Sequence, residues 1–477
     1  MKKMVTMSLV AAATTFAFAS TADDIANLQK QIDQLKAKTG KINAQSANDN
    51  IKWGVDFRTA YDNINYDMAS GNSYGNDSLL SMRLWLNMAY APDTHNVFKG
   101  QLSMNKAFGA SFDNPMLRPF DSFDWTSNEA LRDNTLHVRQ AYWLYLGDKA
   151  FGADIPWTFS IGRRPSTNGF LANLSQDDAA QSPLAHVINV EFDGLSSKLD
   201  LSNVTGVPGM SFKVCLGYGS TNAVPLIGTS TPNADVEMNG MEDIKLGGFI
   251  FEPYNDGQFI VKTTWYRAFD LPDINLDGFG NWNGTMSQVG DMDGAAISVL
   301  VDGITEDGYF ADAKVFASLA WSKTRPNGNT VTVPNGMGGT INAPGMLGSM
   351  DNETGTSWWV GAYLPVGEGS EYGTLGLEFN HGSEHWRPFT YAEDTMIGSK
   401  LAARGDAWEV NYTYQINEAM SFQARYVAID YDYSGSNGFF GSSSGNPLTM
   451  DQAVMYGMGD MVADKAQDFR AYLRYRF

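Results

Sequence analysis

The chain has one cysteine and five histidines in 477 residues. Beyond its N-terminal segment it has no apolar run near the roughly 18 residues that a membrane helix needs. Each shortage excludes something. A lone Cys215 rules out an internal disulfide framework. The histidines are His95, His137, His186, His381 and His385, and no serine or cysteine stands with one of them and a carboxylate as a nucleophile would require. The chain is therefore not expected to be an enzyme. Only His381 and His385 are close, with Glu378 and Glu384 nearby. That segment leaves a strand for a loop, where a four-residue spacing does not put side chains on one face. No metal site is assigned there. Basic residues are also scarce, 33 against 53 acidic ones, and the net charge of −20 disfavours nucleic acid as a partner.

What is present is alternation. Apolar and polar residues trade places along about sixteen stretches, joined by connections that are in turn long and short. After the first stretch the chain wanders through residues 63–78. After the second it turns back within 92–96. A soluble sheet has no reason to sort its connections this way. A barrel crossing an outer membrane does, because its periplasmic turns are short and its external loops long. The expected fold is all-β, a transmembrane antiparallel up-and-down β-barrel of about 16 strands preceded by a short N-terminal periplasmic helix.

The N-terminus fits export. Met1, Lys2 and Lys3 give a positive start, residues 7–18 an apolar stretch, and Ala17-Phe18-Ala19 a small-residue cleavage pattern. Residues 1–19 read as a signal peptide, cut after Ala19 or Ala22. Residues 23–42 carry Ile25, Leu28, Ile32, Leu35 and Ile42 at heptad spacing, a short amphipathic or coiled-coil helix. It either joins copies into a homotrimer or lies against the barrel mouth. Residues 43–50 are a polar linker, and 51–477 form the barrel.

The strands show which way they face. Trp53, Val55, Phe57, Thr59 and Tyr61 alternate with Lys52, Asp56, Arg58 and Asp62. In a membrane the apolar side meets lipid and the charged side the lumen. Leu80, Met82, Leu84 and Leu86 alternate with Ser81 and Arg83, and Trp408, Val410 and Tyr412 with Glu409, Asn411 and Thr413. In the last stretch Phe469, Ala471, Leu473, Tyr475 and Phe477 alternate with Asp468, Arg470, Tyr472, Arg474 and Arg476, and the chain stops on Phe477. Such a terminal pattern resembles the signature by which outer-membrane proteins are recognised for assembly. With the N-terminus periplasmic, an even strand number returns the C-terminus to the same side.

Charge is sorted as well. The external loops carry nearly the whole acidic excess; the third, 165–191, holds Asp177, Asp178 and Glu191 with no Lys or Arg. Inward arginines Arg58, Arg83, Arg139, Arg164, Arg425, Arg470, Arg474 and Arg476 sit on strands one, two, four, five, fifteen and sixteen, which are grouped around the closing seam. Asp312, Glu378 and Glu409, on strands eleven, thirteen and fourteen, are expected on the opposite wall. If the third loop folds inward, Asp177 and Asp178 face the arginine wall. The result is a transverse field across an aqueous constriction that favours small polar solutes. In the fifth loop, 269–292, Asp273, Asn275, Asp277 and Gly278 match the front half of a calcium loop. Position twelve is Gly284 rather than glutamate, so any Ca2+ held there would be weakly bound. No other cofactor is expected.

The stretch Gly376-Leu-Glu-Phe-Asn-His-Gly-Ser-Glu-His-Trp-Arg-Pro-Phe-Thr390 resembles a segment of an uncharacterised, porin-like family of bacterial outer-membrane proteins, and the signal peptide, short helix and terminal Phe fit it too. The resemblance implies a porin-like barrel without assigning a solute. In architecture, general and sugar-specific trimeric porins are similar. The expected function is a passive water-filled channel for small hydrophilic solutes or ions, in contact with outer-membrane lipid and assembled as a homotrimer. The alternatives are a gated transporter of apolar solutes and a surface adhesin or structural barrel built on large loops such as 432–465.

Overall fold

Residues that alternate in sequence alternate in exposure. Along the first strand Asp56, Arg58, Ala60 and Asp62 are buried, while Tyr61 and Trp53 are exposed. The computed structural model describes residues 51–110, 131, 134–164, 168–221, 242–335, 337–390, 395–435 and 445–477. The signal peptide, the N-terminal helix and the linker expected over 1–50 lie outside the described residues.

Sixteen strands close into one antiparallel barrel, each beside its neighbour in chain order. They are β1 (Lys52–Met68), β2 (Ser73–Tyr90), β3 (Asn96–Ala107), β4 (His137–Gly147), β5 (Trp157–Arg164) and β6 (Phe192–Asp200). Next come β7 (Ser211–Ser220), β8 (Ile244–Asn255), β9 (Phe259–Leu276), β10 (Trp282–Asp302) and β11 (Lys314–Pro326). The circle is completed by β12 (Thr354–Pro365), β13 (Thr374–Gly382), β14 (Gly405–Asn417), β15 (Met420–Tyr431) and β16 (Ala463–Arg476). β1 pairs with β16 from Asp56↔Arg476 to Met68↔Ala463, and Val55 and Phe477 exchange backbone bonds of 3.1 and 3.0 Å. Closure leaves no strand edge unpaired, which a sheet in hydrocarbon requires. The outer surface exposes Trp53, Leu80, Trp143, Leu216, Leu319, Trp358, Trp408 and Phe469, the apolar belt such a barrel needs.

Two connections differ from the sequence expectation. Residues 63–78 are largely strand, with β1 and β2 pairing out to Asp67↔Ser73, so the first connection is a tight turn on a long hairpin. Residues 269–292 are likewise mostly β9 and β10. The backbone ladder continues past the point where side chains stop being apolar, so polarity marked the loops too early.

A barrel of this strand number is wide enough for an aqueous channel, but here three loops fold into it. Leu171, Leu184, Val187 and Val190 of the third loop, Val331, Met346 and Leu347 of the sixth, and Trp386, Phe389 and Leu401 of the seventh are buried in one cluster. Inward Tyr266, Leu271, Phe316 and Trp359 belong to the same cluster. Each such side chain contributes about 1.5–3 kcal/mol relative to exposure. The interior is therefore a packed core along one wall and a polar, charged surface along the other.

Candidate functional site

The tip of the third loop is a 3-10 helix, Ala172–Gln176, flanked by two non-glycine residues with left-handed backbone, Leu171 (φ 79°) and Asp177 (φ 50°). Such conformations cost of the order of 1–3 kcal/mol each and persist only where surroundings impose them. Here β16 holds the end with Asp177, and the buried apolar cluster holds Leu171. Arg474 Nη2 donates to Asp178 Oδ1 at 2.7 Å, and its Nη1 to the Gln176 carbonyl at 2.8 Å. Arg476 donates to Asp177 Oδ2 at 2.7 Å and to Asp178 Oδ1 at 3.1 Å. Gln423 of β15 donates to the Ser175 carbonyl at 2.6 Å. Asn168 closes the loop on itself by donating to Asp178 Oδ2 at 2.9 Å.

The inward arginines of β1, β2, β4, β15 and β16 stand among carboxylates and aromatic rings. Arg58 lies directly opposite both Arg83 and Arg474. Like charges so placed repel. Asp56 relieves them: Arg474 Nε donates to it at 2.9 Å, and Arg83 is 3.8 Å away. Arg470 pairs with Asp62, both fully buried. Arg425 is buried opposite Arg470. Arg83 and Arg139 stack on Trp85 at 3.5 and 4.2 Å, and Arg58 lies 5.1 Å from the Tyr472 ring. Arg139 is also 3.4 Å from Glu191, which Arg163 meets at 2.9 Å. Arg164 does not join this group. It stacks on Tyr142 at 4.2 Å and lines a separate cavity.

The opposing acids need three corrections. Asp312 is exposed in the turn before β11, which begins only at Lys314, so it is not on the lumen wall. Glu378 and Glu409 do face inward, opposite one another on β13 and β14, but they face a cation. Lys400 of the seventh loop donates to Glu378 at 2.6 Å and also to Glu409. Trp359 Nε1 adds a bond to Glu378 at 3.0 Å, and Asn411 one to Glu409 at 2.9 Å. Burial works against the Lys400 charge, but Glu378 and Glu409 outweigh it and hold its pKa above the ordinary lysine value. Thirdly, no open gap separates arginines from loop carboxylates, because Asp177 and Asp178 touch their partners directly.

The calcium-like spacing is undone by extended backbone. Asp273 and Asn275 lie on β9 and Asp277 just beyond it, so the outer two are about 13 Å apart along the chain at about 3.3 Å per residue. Asp277 instead accepts from the N–H groups of Phe279 and Asn281, and Asn275 donates to Thr285 and Ser287. His381 bonds Asp406 at 2.7 Å, and His385 is 3.6 Å from Glu353. Among the described residues no three His, Cys, Asp or Glu side chains gather as a metal site.

Two functional residues carried no periodic signal in the sequence. Lys400 is one. The other is His186, fully buried, with its ring nitrogens 2.8 Å from the hydroxyls of Ser318 and Ser357 and its ring between Trp359 and Trp386. Burial pushes its pKa down to about 3. Together these residues clamp the third and seventh loops to β11–β14. Under the third loop lies a cavity of about 280 Å³, lined by Leu174, Asp177, Asp178, Lys314, Tyr363 and Glu371 among others.

A closed sixteen-stranded barrel with an apolar belt, a charged interior and an inward third loop defines a porin-like protein. The chain belongs to the family described as proteins of unknown function, DUF3373, which it matches over residues 73–477. No curated protein matches it. Among solved structures it is similar to OprB of Pseudomonas putida in a high-pH structure, at 12% identity and a TM-score of 0.48, covering 91% of this chain and 96% of that one. OmpF of Salmonella typhi in complex with daunomycin is similar at 13% and 0.46, covering 91% and 99%. An anion-selective porin from Comamonas acidovorans gives 12% and 0.45, covering 90% and 99%.

Proposed function

We propose that this chain is an outer-membrane porin, a passive channel for small hydrophilic solutes or ions, with both termini periplasmic and three copies in the assembly. The observation that carries this reading is the contact of Arg474 and Arg476 with Asp178 and Asp177. It holds a strained loop tip against a wall of inward charges, and so makes the third loop the constriction. The arginine wall and the acidic loop together would filter solutes by charge and size. Solutes would pass through the cavity beneath the loop tip, which Asp177, Asp178, Lys314 and Glu371 line.

The burial of the third, sixth and seventh loops in one apolar cluster favours a second reading, a gated barrel that conducts only after a loop moves. Single-channel recording in a planar bilayer under a salt gradient separates the two. Stable open steps grouped in threes, with a definite reversal potential, support the passive porin. A membrane that stays silent until the loop contacts are weakened supports the gated barrel.

A further inference from the structure

Three cations of the barrel wall stand outside the network around Arg474. Among the described residues, Arg164 on β5, Lys198 on β6 and Lys213 on β7 have no carboxylate within 4.0 Å. The neighbouring Lys262 does, meeting Glu252 at 3.6 Å. Lys198 and Lys213 are directly opposite each other, where like charges repel. Lys213 Nζ donates to a neutral hydroxyl, Ser182 Oγ, at 2.8 Å. The buried Nε of Arg164 has no hydrogen-bond partner. A partly desolvated cation cluster without its anions is costly unless something supplies them.

The wall between these cations is hollow for a reason visible in the register. One inward row runs through Ser160, Ser196, Cys215, Gly248 and Tyr266. The next row toward the third loop runs through Gly162, Gly194, Gly217 and Leu246. Ser196, Cys215 and Gly248 of the first row line the space, and their small size leaves it unfilled. The third-loop segment Gln181–Leu184 and Ile188 roof it over, leaving a cavity of about 60 Å³. That exceeds the roughly 10–15 Å³ one water needs. Its lining is mixed: Arg164 and Lys213 supply cations, Ile188, Phe192 and Ile250 supply apolar surface, and in register Phe192 stands opposite Arg164 and Ile250 opposite Lys213.

The two kinds of lining together select the guest. An inorganic anion would meet the cations but leave the apolar side unused, and a neutral apolar guest would leave the cations unmet. We propose that this cavity binds a small organic monocarboxylate, with its carboxylate toward Arg164 and Lys213 in charge-assisted hydrogen bonds and its apolar body against Ile188, Phe192 and Ile250. The assignment does not require that the barrel conduct, so it stands or falls separately from the channel reading.

Cys215 lines the same cavity and is the sole cysteine, which makes it a built-in reporter. The purified full chain is alkylated with iodoacetamide at constant ionic strength, alone and with propionate, propionamide or inorganic phosphate. Propionate, small enough for a cavity of this size, at about 20 mM, several times a millimolar-range Kd, slows the reaction at least about threefold. Propionamide and phosphate leave the rate unchanged, and Lys213→Met or Arg164→Met removes the protection. Equal protection by propionamide overturns the anionic half of the assignment, and equal protection by phosphate overturns the apolar half. Protection that survives both substitutions, or none at all, overturns the site. Should the thiol be unreactive, equilibrium dialysis of radiolabelled propionate against wild type and Lys213→Met gives the same decision: binding lost in the variant supports the site, and binding absent or unchanged overturns it.

Discussion

Arg474 and Asp178 stand 2.7 Å apart across a sequence separation of 296 residues, and that contact joins the last strand of the barrel to the tip of its third loop. Arg474 also binds Asp56 and is almost wholly buried, so removing it leaves Asp56 only the more distant Arg83 and leaves Asp178 to Arg476 and Asn168. Breaking a buried pair by deleting one partner costs about 3–5 kcal/mol. Arg474→Ala is expected to free the loop tip, raise single-channel conductance and shift the reversal potential toward cations. Asp178→Asn should raise conductance with the opposite shift. Bilayer recordings of both variants check this, and identical selectivity in the two would remove the constriction role.

Lys400 neutralises Glu378 and Glu409 together. Lys400→Met leaves two buried carboxylates face to face and is expected to undock the seventh loop, at a cost of about 3–5 kcal/mol. The double variant with Glu378→Gln should recover part of the loss. Limited proteolysis within 383–404, followed by mass spectrometry, reads the effect; a loop as resistant in Lys400→Met as in wild type would contradict it.

Acid should loosen the third loop before it harms the barrel. Docked, His186 stays neutral down to about pH 3, whereas in the released loop its pKa is near the ordinary 6.5. Below pH 6.5 the released form takes a proton that the docked form refuses. Falling pH therefore favours release, by up to about 1.4 kcal/mol per pH unit between about 6.5 and 3. Hydrogen exchange over 184–190, corrected for its intrinsic pH dependence, should be about tenfold faster at pH 5.5 than at pH 7.5. His186→Phe should abolish the difference; an acid response that persists in this variant would assign the effect to other groups.

The seventh loop is anchored by its aromatics. Trp386 is 1% exposed and donates to the Leu401 carbonyl at 2.8 Å. Trp386→Ala is expected to cost about 3–5 kcal/mol. It should lower the temperature at which the folded barrel converts to the unfolded band on electrophoresis without heat-induced aggregation at 25 °C.

The barrel was legible because a strand writes its facing at every second residue, and lipid on one side keeps that pattern strong. Arg58, Arg83 and Glu378 could be turned inward from alternation alone. The pattern fails where strands leave the membrane. The hairpins of β1–β2 and β9–β10 continue in polar sequence, and Asp312 keeps the alternation of a strand that begins two residues later. Partners were harder still. Asp56 and Asp62 visibly share the arginine wall, but which arginine each meets depends on register across the seam. Lys400 and His186 belong to loops, where no period marks a side chain as inward, and nothing in the sequence couples His186 to Ser318 and Ser357.

The pairing of the two chain ends has a consequence for how the barrel finds its closure. At the observed register Asp62 lies opposite Arg470, and Ile64 opposite Asp468. Side-chain facing repeats every two residues, so a slip of two keeps every apolar residue toward lipid and goes unpunished by the membrane. Charge punishes it. Sliding β16 by two in either direction breaks the fully buried Asp62–Arg470 pair: one slip sets Asp62 against Asp468, although it brings Asp56 opposite Arg474, and the other sets Asp62 against Tyr472 and leaves Arg470 facing Ile64. Hydrophobicity decides which face of the final strand turns outward, and the buried pairing of Asp62 with Arg470 proofreads where along its length the ring is allowed to shut.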